Sequence, residues 1–242
     1  DFDNLAQVCD DKCRVLLLCN PHNPGGLVWK KETLQRLADF CFDHHLLVVS
    51  DEIHADMPLF GHQHTPFASV SANAAAISIT FQAPTKTFNI AGIVSAYAIV
   101  PNENIRKVFY DWLAVNELDE PHLFAPIATI AAFREGEAWR KQMIHYVERN
   151  ILFVEAFCQQ HMPAIKPLRP QASFLIWLDC RALHLSHEEL LHLFIDEAHL
   201  ALNDGEMFGP GGEGYMRLNV GCPRQLVEQA LRQLRDAVQH HV

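Results

Sequence analysis

"RVLLLCNPHNPGGLVWKKETLQRLADFCFDHHLLVVSDEIH", residues 14–54, carries the reading on which the fold turns. Residues 14–19 are a short apolar run that breaks at NPHNPGG, a cluster of asparagine, proline and glycine dense enough to mark a turn. Residues 30–45 then place Leu34, Leu37, Ala38 and Cys41 at helical spacing. LLVVS follows at 46–50, apolar and β-branched toward its end. Strand, turn, helix, strand, with nearly continuous apolar strands, is the pattern of a mostly parallel sheet covered on both faces. Such strands have no solvent side on which to alternate polar residues.

Working outward, AAISITF (75–81) and IVSAYAIV (93–100) are two further strand candidates. From about residue 104 the chain turns helical, and 127–161 reads as helix with a break expected near residues 134–136, at Gly136. SFLIWLDCR (173–181) reads as a strand, 186–199 as a helix capped by Ser186, 214–221 as a strand and 223–239 as a closing amphipathic helix. An α/β region with a mostly parallel sheet, followed by a smaller α+β C-terminal domain, is the expected architecture.

The formal net charge is −10, from 19 Lys and Arg against 29 Asp and Glu, and no Lys/Arg-rich run appears. Nucleic acid is therefore not expected as a partner, and an anionic ligand would need a local positive site. No apolar stretch reaches about 18 residues, so no membrane span is expected. The acidic start DFDNLAQVCDDKC reads as neither a secretory signal nor a transit peptide. Seven cysteines without a CxxC pair, several in apolar runs, suit a reduced cytoplasmic protein with no disulfide framework. The 15 histidines form no HExxH, and His62, His64, His184, His187 and His192 stand beside no trusted ligand spacing, so no metal is expected.

In open α/β sheets ligands bind beyond the carboxyl ends of the strands. Three polar clusters fall at such ends: Asn23 after the first strand, residues 51–54 after the second, and Lys86 a few residues past the third. Lys86 reads either as a surface charge or as a nucleophilic amine. A lysine amine that forms a Schiff base, with a carboxylate available to a pyridine nitrogen, is what pyridoxal phosphate chemistry requires.

NPHNPGG (20–26), SDEIH (50–54), APTKTFNIAG (83–92) and MRLNVGCPR (216–224) occur in the order seen in fold-type I pyridoxal-phosphate enzymes. The chain resembles the aminotransferase class I/II superfamily, and within it the MalY/PatB group of cystathionine β-lyase-like C–S lyases. The resemblance runs over nearly the whole chain. It implies that Lys86 bears the cofactor, that Asp51 partners the pyridine nitrogen, and that Asn23 donates to the phenolic oxygen. His54 stands three after Asp51, where many aminotransferases have tyrosine; the alternative for it is a packing role. Arg217 would grip the substrate α-carboxylate, for which a guanidinium fork has the right shape.

Further implications concern the whole enzyme. Residues 1–135 would be the C-terminal part of a cofactor-binding large domain and 136–242 a small domain. The expected reaction is β-elimination from a cystathionine- or cysteine-type amino acid by a cytoplasmic homodimer. An aminotransferase is the alternative reading, and a non-catalytic regulatory module or inactive fragment a second one. Two departures stand out. Ala83 occupies the position three before Lys86 where many relatives place a phosphate-holding serine, with Thr80 or Thr85 as candidate replacements. The family's N-terminal phosphate-binding turn has no counterpart, so the chain resembles the C-terminal part of a longer enzyme. The glycine-rich GPGGEG (209–214) reads as a loop rather than a substitute for that turn.

Overall fold

The computed structural model describes residues 1–239. The last three residues of the expected 136–242 domain lie outside the described residues. The chain forms two compact units. The first comprises Asp1–Pro21, Val28–Met57 and Gln63–Arg140; the second comprises His22–Leu27, Pro58–His62 and the chain from Lys141 onward.

In the first unit α1 (Phe2–Val8) precedes β1 (Val15–Cys19), α2 (Lys31–Asp43) and β2 (Leu47–Asp51). Then come α3 (Ala72–Ile77), β3 (Ser78–Gln82), the one-turn α4 (Pro84–Thr87), β4 (Tyr97–Ile99), α5 (Glu103–Val115) and α6 (Phe124–Glu135). The strands lie in the order β1-β2-β3-β4. The first three are parallel, with Leu17 beside Val49 and Val49 beside Ile79, and β4 closes the edge antiparallel.

Alternation along these strands separates two faces. Leu18, Val48, Ser50 and Thr80 point to the face covered by Leu34, Ala38 and Cys41 of α2 and by Phe67, Val70 and Ala74, which together form one core. Burying each of the larger aliphatic groups contributes about 1.5–3 kcal/mol. The opposite face is closed less evenly: Leu47 and Ile79 line a hollow of about 510 Å³ with Ile105, Val108 and Trp112 of α5, while Leu17 is 80% exposed. The described residues of this unit thus close one face of the sheet fully and cover the other in part, through α5.

Two strand ends fall short of the sequence expectation for local reasons. Ser71 accepts a hydrogen bond from the Ala74 amide and caps an alanine-rich turn, so the strand expected from residue 75 begins at Ser78. The strand expected from residue 93 begins at Tyr97, because a 3₁₀ turn ends at Ile93 and Val94 takes a left-handed conformation with φ 49°. The break at Gly136 is present: α6 ends there and α7 (Glu137–His161) starts anew.

The second unit contains most of α7, then β5 (Lys166–Leu168), β6 (Leu175–Asp179), α8 (His187–His192), β7 (Asn203–Asp204), β8 (Tyr215–Asn219) and α9 (Arg224–Val238). The helix expected over 186–199 starts with a Ser186 capping box and widens to π geometry over Leu193–Glu197. The sheet is antiparallel, in the order β5-β6-β8-β7. Ile176, Leu178, Met216 and Leu218 face a core shared with Val147, Ile151 and Val154 of α7 and with Val227, Leu231 and Leu234 of α9. The other face carries Trp177, Arg217 and Asn203, aligned across β6, β8 and β7. Together the two units make a mixed α/β architecture containing a parallel sheet.

Candidate active site

Asp51 is the last residue of β2, beside Cys19 at the end of β1 and Phe81 near the end of β3. All three line a cleft of about 450 Å³, together with Val49, Gln82 and Ala83. Asp51 is exposed, and its Oδ1 accepts a hydrogen bond of 3.1 Å from the Ile53 amide. Its neighbour Glu52 points the other way and is 1% exposed. The Glu52 carboxylate accepts from Ser50 Oγ (2.9 Å), the Phe67 amide (2.9 Å) and His64 Nε2 (2.8 Å). Strand alternation thus gives one of two adjacent acids to the cleft and the other to the fold.

Lys86 sits in α4, which opens with Pro84, a residue suited to the first helical position because its missing N–H would be unpaired there anyway. The side chain is exposed, and among the described residues its amine has no hydrogen-bond or ion-pair partner. The helix is held from behind. The Phe88 amide donates to the Pro84 carbonyl at 2.9 Å, and the Phe88 ring packs edge-on against Phe133 at 5.5 Å and beside Trp139 at 6.1 Å. Gly136 permits this approach, since a Cβ there would stand 2.5 Å from Phe88 Cε1.

His54 lies in the turn after β2, buried, with its carbonyl accepting from the Met57 amide at 3.0 Å. It is not among the residues lining the cleft. Thr80 is paired in register with Ser50 and is 2% exposed on the sheet face opposite Asp51, so it is not placed to replace a phosphate ligand at Ala83. Thr85 is also buried. In the first unit the structure therefore brings Asp51 and the start of α4 to the ends of adjacent parallel strands.

In the second unit Asn23 and Arg217 meet directly, with Arg217 Nη1 donating to Asn23 Oδ1 at 2.7 Å. The loop that carries Asn23 is fastened by its glycines. Gly26 has φ 67°, which glycine adopts without strain, and a Cβ there would stand 2.5 Å from Pro170 Cβ. The Gly26 carbonyl accepts from the Gln171 and Ala172 amides at 2.7 and 3.2 Å.

Arg217 has two further neighbours that the sequence did not single out. Nη2 donates to Asn203 Oδ1 at 2.7 Å, and Cζ lies 4.6 Å from the centre of the Phe208 ring. Among the described residues Nε is buried without a partner and no carboxylate stands within ion-pair distance, and burial lowers the guanidinium pKa. Asn203 and Phe208 flank the glycine-rich segment on its N-terminal side. The signal that could have found Asn203 is a hairpin register placing it opposite Arg217.

Among the described residues no group of three or more His, Cys, Asp or Glu could hold a metal ion, and no helix is long and apolar enough to cross a membrane. The seven cysteines are all free thiols.

The model of the aminotransferase class I and II family matches residues 1–234. The chain is 43% identical over 239 residues to cystathionine beta-lyase PatB of Bacillus subtilis, covering 98% of this chain and 62% of that protein. A PLP-bound putative aminotransferase from Clostridium difficile superposes with a TM-score of 0.95 at 39% identity, over 98% of this chain and 61% of that one. Cystalysin from Treponema denticola, whose crystal structure contains pyridoxal 5'-phosphate, also superposes with a TM-score of 0.95, at 34% identity, over 99% and 61%. The chain thus spans about three fifths of the length of these relatives.

Proposed function

The chain belongs to the aminotransferase class I and II family, and from that premise we propose that the complete protein is a pyridoxal 5'-phosphate-dependent carbon–sulfur β-lyase. Its substrates would be cystathionine- or cysteine-type amino acids, and its products a thiol, pyruvate and ammonia. The observation that carries the reading is that an exposed carboxylate, Asp51, and the short helix bearing Lys86 follow the ends of adjacent parallel strands, the Lys86 amine having no partner among the described residues. The residues fit an aldehyde-bearing pyridine. An unpartnered amine can condense with a carbonyl, and a carboxylate can hold a proton on a ring nitrogen.

When bound, the cofactor supplies an electron sink for charge that develops at the substrate Cα. Lys86 would hold it covalently through its amine, and the same amine would serve as general base toward the substrate Cα proton. Asp51 would hold a proton on the ring nitrogen through its charge. Arg217 would bind the α-carboxylate through a guanidinium whose charge no carboxylate of the described residues neutralises. Asn23, its Oδ1 held by Arg217, takes the role of donor to the cofactor's phenolic oxygen through the opposite end of its amide. His54 would belong to the cofactor's surroundings. The first unit serves as part of the cofactor-binding domain and the second as the smaller domain, in a cytoplasmic homodimer.

A second reading, an aminotransferase, is favoured by the description of the Clostridium difficile relative. The full-length protein separates the two. A lyase releases pyruvate and thiol from L-cystathionine with no acceptor present, whereas an aminotransferase needs a 2-oxo acid and returns a new amino acid. Neither product from the cofactor-loaded protein would leave the third reading, a non-catalytic module.

A further inference from the structure

We propose that Asn203 is a positioning residue for Arg217, fixing the guanidinium plane while leaving its charge available to a substrate carboxylate. This rests on the carboxylate-gripping role given to Arg217 above. Asn203 stands opposite Arg217 in the β7–β8 ladder, so the two side chains lie side by side on one face of the sheet. Its Oδ1 accepts from Nη2 at 2.7 Å, and its own amide donates to Met207 Sδ at 3.7 Å, which orients the carboxamide. Asn23 Oδ1 takes Nη1 at the same distance, and Phe208 lies against the guanidinium at 4.6 Å from its ring centre.

A guanidinium has five N–H donors in a fixed plane. Here two are engaged, one on each terminal nitrogen, and Nε–H is buried with no acceptor. The remaining three suffice for a bidentate carboxylate. Both engaged donors meet neutral carboxamide oxygens. An aspartate at 203 has nearly the same shape but carries a charge, and would satisfy Arg217 internally in competition with the ligand. Asparagine at this position orients without neutralising.

The test uses the full-length holoenzyme with Asn203→Asp, Asn203→Ser and Arg217→Lys. Propionate, a carboxylate without an amine, is titrated by calorimetry, and KM and kcat are measured with L-cystathionine. Asn203→Asp is expected to weaken propionate about tenfold or more and raise KM comparably, with kcat within about threefold, because uniform binding is what is lost. Asn203→Ser, which shortens the acceptor without adding charge, is expected to cost about threefold in both. Wild-type propionate affinity in both Asn203 variants, with weakened binding in Arg217→Lys, overturns the role of Asn203 and leaves that of Arg217. Wild-type affinity in Arg217→Lys overturns the Arg217 reading and the inference with it. A fall in kcat alone, at unchanged KM and propionate affinity, marks a merely structural asparagine and also overturns it.

Discussion

Asp56 is half-buried close to Arg140 and His64, and desolvation pushes its carboxyl pKa above the ordinary 3.8 although those two neighbours pull it down. The folded chain therefore holds this proton to higher pH than the unfolded chain does. As pH rises past the ordinary carboxylate value the unfolded state ionises first, and the stability associated with the group falls until the raised value is passed. At neutral pH that stability is absent. Asp56→Asn is accordingly expected to raise the midpoint of thermal unfolding at pH 7, with a benefit that shrinks toward acid. An unchanged or lower midpoint at pH 7 would show that attraction to Arg140 outweighs burial. At the same scale, Asp51, Lys86 and Arg217 stand out in the sequence as candidates because each sits in a local motif of turn and strand residues. Asn203 and Phe208 were not, since their approach to Arg217 depends on a strand register and on the path of the 206–214 loop. His54 was legible as a position, yet its burial away from the cleft lining depends on the turn that ends β2.

At the scale of elements, α4 is too short to stabilise itself, and its four residues depend on what packs behind them. Phe88, Phe133, Trp139 and Gly136 are that support. Gly136→Ala gains helix propensity of about 1 kcal/mol. Its Cβ, however, would meet the Ala132 carbonyl oxygen at 2.4 Å as well as the Phe88 ring, and overpacking of this kind typically costs about 1–3 kcal/mol. The backbone oxygen cannot swing aside as a side chain can, so net destabilisation in urea unfolding is expected, together with reduced cofactor occupancy through the displaced Phe88. A more stable variant with full occupancy would contradict this. The helix break at Gly136 was readable from composition alone. The late starts of β3 and β4 were not, because a serine cap and a left-handed valine decided them against apolar runs that suit a strand equally well.

For the whole molecule, the parallel β1-β2-β3 ladder followed the strand–helix–strand pattern of the sequence. The membership of residues 22–27 and 58–62 in the second unit was hidden, because it rests on bonds between distant segments. Gly26 O accepts from the Gln171 and Ala172 amides, and the Leu59 amide donates to Gln171 O. Val108, Trp112 and Val115 of α5 and Ile127 of α6 are exposed, Val115 by 83%. Val108, Trp112 and Val115 recur at helical spacing along α5, so they share one exposed apolar stripe. The full-length protein is expected to scatter light as a dimer at micromolar concentration, and a monomer would contradict the proposed assembly.

Lys86 is proposed to carry pyridoxal phosphate. The most direct measurement is borohydride reduction of the purified full-length protein, followed by peptide mass spectrometry, with Lys86→Ala alongside. A pyridoxyl-phosphate adduct is expected on the peptide spanning residues 80–92, absent from the variant, whose activity falls by at least about 10²-fold while its fold is retained. An adduct on another lysine, or none, would contradict it.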